Sequence, residues 1–137
     1  MTINDQFSDI VSLLAASDLA ARERKALEER LDAEGIAGAS SAFQETKQFL
    51  EALESALKAG VDPMITLAMD YQWVPSNGRD YYMLCYKLWK PSRGENELWF
   101  HVTGDFQRIE FESHDFALTD TTGIQNAIKA WVVAKLH

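Results

Sequence analysis

The chain has 137 residues, 47% hydrophobic and 25% charged, with a net charge of −8. That size and composition fit one globular domain with a core of its own and exclude disorder of the whole chain. The acidic balance, the lack of a basic run and the lack of ~20 successive apolar residues exclude the usual nucleic-acid and membrane-spanning classes.

The first 60 residues are rich in Ala, Leu and Glu and predict three helices. Ile3, Phe7, Ile10, Val11 and Leu14 follow helical spacing over roughly 4–16. Ser17 or Asp18 caps a second helix striped by Leu19, Leu27 and Leu31, with Gly35 stopping it and Gly38 and Ser40 in the link. Its basic group, Arg22, Arg24 and Lys25, is broken by Glu23 and reads as a solvated face. Ser41 and Gln44 have capping-box spacing and open a third helix, with Phe43, Leu50, Leu53 and Leu57 on one face and Gly60 at its end.

After residue 64 the period changes. Ile65, Leu67, Met69, Tyr71 and Trp73 alternate with polar or small residues, as a strand does. Asn77-Gly78 is the favoured pair for a two-residue hairpin turn, and that turn sets Trp73 against Tyr82, Tyr71 against Leu84, Met69 against Tyr86 and Leu67 against Leu88. A second turn at Gly104-Asp105 pairs Phe100 with Ile109, Leu98 with Phe111, His101 with Arg108 and Trp99 with Glu110. In both hairpins the apolar rows coincide, which a one-residue slip would destroy. Pro91 to Asn96 links the hairpins, and Ser113 to Thr121 is a polar loop. Thr122 and Gln125 then open a last helix whose apolar face is Ile124, Ala127, Ile128, Trp131 and Val132.

The expected fold is α+β in a single domain over 1–137: three N-terminal helices within 1–60, a four-stranded antiparallel meander over 64–112, and one C-terminal helix over 122–137. Helices should pack on the face carrying the apolar rows. The opposite face holds Tyr81, Met83, Lys87, Trp89, Trp99, His101, Arg108 and Glu110, so its second strand is apolar on both sides, unlike a plainly solvated antiparallel sheet. One reading covers this face with the C-terminal helix. Another makes it a binding surface, because Trp, Tyr, Met and Arg supply interface centres.

Chemistry-bearing groups are sparse. Cys85 is the single cysteine, so no intrachain disulfide or cysteine metal cluster forms. Cys85, His101 and Glu110 are the ingredients of thiol catalysis, yet no local motif surrounds them. His114, Asp115 and Glu112 match no zinc spacing. Glu110 and Glu112, two apart on one strand, read as an edge that resists aggregation. Phosphate loops, dinucleotide fingerprints and nucleophile elbows are missing. The first residues show neither the basic start nor the apolar run of a secretory leader, so the expected location is cytoplasmic.

The expectation is a non-enzymatic protein-binding module, inhibitor-, immunity- or chaperone-like, acting through the aromatic sheet face on another, basic protein or on itself as a homodimer. No cofactor and no metal is called for. The alternative is a small-ligand or enzymatic domain with a pocket between sheet and helices near Tyr71, Trp73 and Tyr82.

Overall fold

The computed structural model describes residues 6–137. Ile3 and the start of the first expected helix lie outside them. The described residues form two helices and one five-stranded antiparallel sheet: α1 (Ser8–Gly60), β1 (Thr66–Ser76), β2 (Tyr81–Lys90), β3 (Gly94–Thr103), β4 (Arg108–Phe111), β5 (His114–Ala117) and α2 (Thr121–Leu136). The strands are neighbours in sequence order, so the sheet is a pure meander. No helix among these residues is long and apolar enough to cross a membrane. The chain divides into two compact units, one up to Gly35 and one from Ile36 onward.

The α+β class and antiparallel sheet match expectation; the element counts do not. One helix replaces the three expected in the first 60 residues. Gly35 and Gly38 lie inside it, because an interior glycine costs a helix only about 1 kcal/mol and no proline enforces a break. The potential caps Ser17, Asp18 and Ser41 sit within it too. From Ile36 onward the buried stripe runs Ile36, Ala39, Phe43, Thr46, Leu50, Leu53 and Leu57, in alternating steps of three and four.

A fifth strand, β5, lies in the segment expected to be a loop. It pairs Phe111 with His114 through a two-residue turn at Glu112-Ser113, both with positive φ (49° and 64°). Such turns normally announce themselves by Asn-Gly; Glu-Ser carries no such signal. The segment expected to link two hairpins also tightens into a turn, with Lys90 paired to Gly94 at φ 73°.

Both expected registers need correction. In the first hairpin Leu67↔Leu88 and Met69↔Tyr86 form as expected, but Tyr71 pairs with Cys85 instead of Leu84, and Tyr82 pairs with Pro75 instead of Trp73. Two bulges, at 69–71 and 71–74, add one residue each on β1. Asn77 and Gly78 do adopt positive φ (52° and 69°), but the loop continues to Asp80, whose carboxylate accepts from Asn77 Nδ2 at 2.8 Å. In the later hairpin Val102 pairs with Ile109 and His101 with Glu110, two residues away from the expected Phe100↔Ile109. The turn lengthens because Phe106, at φ 59°, stacks on Tyr82 with centroids 4.9 Å apart. Thr103 Oγ1 meanwhile accepts from Arg108 N at 3.1 Å in place of a ladder bond. A two-residue slip keeps every side chain on its expected face.

The core joins one sheet face to both helices. Leu67, Tyr82, Leu84, Tyr86, Leu88, Leu98, Phe100, Val102, Ile109 and Phe111 pack with Phe43 and Leu50 of α1 and Ile124, Ile128, Trp131 and Val132 of α2. Phe43 meets Phe100 edge-on, and Lys129 lies over the Phe49 ring. The face expected for α2 is the one that is buried, but its cap is Asp120, which accepts from Gly123 N at 3.1 Å, in place of Thr122. Glu54 of α1 accepts from Leu67 N at 2.6 Å at the β1 edge.

Candidate functional site

Pairing across the strands defines the second face of the sheet row by row. Thr66, Trp89 and Glu95 form one row; Ala68, Lys87 and Glu97 the next; then Tyr71, Cys85 and Trp99; then Val74, Met83, His101, Glu110 and Asp115; and last Ser76, Tyr81 and Thr103. Tyr81, Met83, Lys87, Trp89, Trp99, His101, Arg108 and Glu110 therefore share this face. Trp131, expected as a cover for it, belongs to the core on the other side.

At the centre Tyr71 stacks on Trp99, with centroids 5.4 Å apart and planes 22° from parallel. The bulge at Asp70 puts Tyr71 here: one extra residue turns its side chain from the core to the open face, where it stays 48% exposed. The expected registers place Tyr71 in the core row, so its role here was missed; Met-Asp-Tyr carries no clear bulge signature. Val74, 42% exposed, arrives by the second bulge.

Trp99 does not lie opposite Glu110, as expected; it faces Cys85, and its indole N–H donates to Glu97 at 2.9 Å. Glu110 faces His101 instead, and the His101 ring meets Tyr81 edge-on at 6.1 Å. Lys87 lies 3.3 Å from Asp70 and 3.4 Å from Glu95, and these carboxylates, Asp70 first, hold its ammonium above the usual lysine range. Arg108 donates to Asp115 at 2.9 Å, which raises its guanidinium further. Both cations are thus tied to carboxylates of the same face, while Glu97 and Glu110 add further negative charge.

The geometry does not favour thiol chemistry. Cys85 is fully buried, and its thiol is pushed up to about 11, by burial first and then by Glu97 and Asp70. A reactive cysteine needs the opposite shift. Its Sγ lies 3.9 Å from the Tyr86 carbonyl oxygen. Glu112 leaves the strand in the turn after Phe111, so it does not extend a row with Glu110.

A shallow depression of about 350 Å³ opens where this face meets the β4–β5 turn, lined by His101, Glu110, Phe111, Glu112, Ser113, His114 and Asp115. Among the described residues no group of three or more His, Cys, Asp or Glu side chains is placed to hold a metal ion. The alternative pocket is not assembled from its expected walls. Tyr82 and Trp73 are packed core residues, while Tyr71 lies across the sheet from them.

Protein-family models, curated proteins and solved structures yield no match to this chain.

Proposed function

We propose that this protein is a non-enzymatic binding module that docks another protein on the open sheet face. The observation carrying this reading is the Tyr71–Trp99 stack, which reaches from the edge strand β1 to the central strand β3 and is left accessible. Rigid aromatic anchors with a polar surround are the usual energetic centre of a protein interface. Val74, Met83, Tyr81 and Trp89 extend its apolar area. Asp70, Glu95, Glu97, Glu110 and Asp115 outnumber Lys87 and Arg108 around it, which suits a partner that brings Lys or Arg.

A second reading places a small ligand in the depression beside His101 and His114. Its support is the convergence of two imidazoles with carboxylates in one concavity.

The test captures partners from native lysate with the full chain and with Trp99→Ala, Tyr71→Ala and His114→Ala, using Val133→Ala on the exposed side of α2 as control. Loss of an anchor should weaken the captured complex by about 2 kcal/mol, roughly thirtyfold. Urea melts run in parallel show whether each variant stays folded. Binding that survives both anchor substitutions but fails in His114→Ala would move the site to the depression. Binding that merely follows the folded fraction would remove the interface reading.

A further inference from the structure

The first part of α1 carries an apolar surface that the core does not use. Ile10, Leu13, Leu14, Leu19, Leu27 and Leu31 are 45–70% exposed, and among the described residues the core takes none from before Ile36. Helices in water owe most of their stability to packing of an apolar face, and here that face lacks a covering surface within the described residues.

Within it runs a seven-residue repeat. Ile10, Ser17, Arg24 and Leu31 occupy one position, and Leu13, Ala20 and Leu27 sit three residues further on. The seam is complementary to itself when reversed. Set against a second copy running the opposite way, Ile10 meets Leu27, Ser17 meets Ala20, and Arg24 meets Leu13, each contact occurring twice about a two-fold axis. The small central pair lets the backbones approach. The Arg24 stem can lie along Leu13 with its guanidinium in water. Asp9 falls opposite Arg30 of the other copy, an opposite-charge pair at each end. Arg30 is otherwise only 4.0 Å from Glu34 in a solvent-exposed pairing. A parallel arrangement would set Arg24 against Arg24 inside the seam. The charged residues of this stretch are mixed and acidic in balance, unlike the Lys/Arg-rich polar face of a helix that lies on a membrane.

We propose that a second copy of this chain covers this seam, forming an antiparallel helix pair between residues 8–35 of each protomer. This interface shares no residue with the sheet face, so Trp99→Ala should leave it intact.

Sedimentation of the full chain across the micromolar range should show a concentration-dependent rise from 15.5 kDa to twice that mass. Leu27→Glu should weaken the dimer at least about tenfold, since it sets a charge against Ile10 of the other copy in place of an apolar contact. Its helix content, by circular dichroism, shows that the arm itself persists. Asp9→Arg and Arg30→Asp should each weaken the dimer and restore it when combined in one chain. For orientation, Ile10→Cys chains mixed with Leu27→Cys chains should cross-link, and Ile10→Cys chains alone should not. A wild-type chain that stays monomeric would overturn the proposal, whether or not it binds phosphatidylserine vesicles. Cross-linking of Ile10→Cys to itself would overturn the antiparallel seam.

Discussion

Cys85 faces Tyr71 and Trp99 across the ladders, yet its thiol has no exposed surface. Its folded value, about 11, lies above the ordinary 9.0. The unfolded chain therefore loses this proton first, so the contribution to stability is complete below pH 9 and is lost as pH rises from 9 towards 11. Tyr86 shifts in the same direction, through burial and then Glu51, and adds to the loss above its ordinary value of 10.0. Urea midpoints should fall between pH 8 and pH 10.5, less steeply in Cys85→Ala. Alkylation of the native protein at pH 8 should proceed only as fast as it opens; rapid labelling would mean an accessible thiolate. Gly104 is constrained by contact. Its N–H donates to the Asp80 carbonyl at 2.7 Å, and an added Cβ would overlap the Arg79 carbonyl oxygen and stand 3.2 Å from that of Asp80. Backbone cannot yield as a side chain does, so Gly104→Ala should cost ~1–3 kcal/mol in urea melts.

At the level of elements, the β4–β5 hairpin holds two non-glycine residues in left-handed conformation, each at a cost of ~1–2 kcal/mol. Ser113→Gly should relieve part of this and raise stability by about 1 kcal/mol, read from the urea midpoint; a fall would show that the serine makes compensating contacts. The same hairpin shows where the sequence is silent: four residues, His-Asp-Phe-Ala, are too few for periodicity, and their turn lacks glycine. Longer elements are legible. The alternation of 65–73 and the apolar face of α2 identify their element types and much of their buried surface. Registers are less legible because tertiary packing sets turn length. Phe106 enters the core against Tyr82 and so lengthens its turn, while Asp80 engages Gly104 and so favours the longer first loop. The bulge that turns Tyr71 outward is a consequence of the same pairing. The eight residues expected on the open face do lie there because a two-residue slip preserves parity, and because the bulges fall on β1, which contributes none of them. Their partners were not legible: Trp99 against Cys85 and His101 against Glu110 depend on registers that only the folded loops determine.

For the whole molecule, the distribution of burial sets how far the chain can be shortened. Among the described residues every core residue lies at or beyond Ile36, and the unit from Ile36 onward contains the sheet, α2 and the buried stripe of α1. A chain beginning at Ile36 therefore keeps all of the burial that opposes conformational entropy. Trp73 and Trp131 would stay in the core, so near-ultraviolet circular dichroism should retain its tertiary signal. At concentrations where the full chain is monomeric, the two urea midpoints should correspond to stabilities within ~0.5 kcal/mol, the range of surface changes away from the core. The shortened chain should also lose all concentration dependence of its stability, since mass action stabilises only a species that associates. A large drop in midpoint would show that residues before Ile36 stabilise the sheet unit by means other than core burial. An unchanged concentration dependence would place self-association on the sheet unit and away from the helical seam.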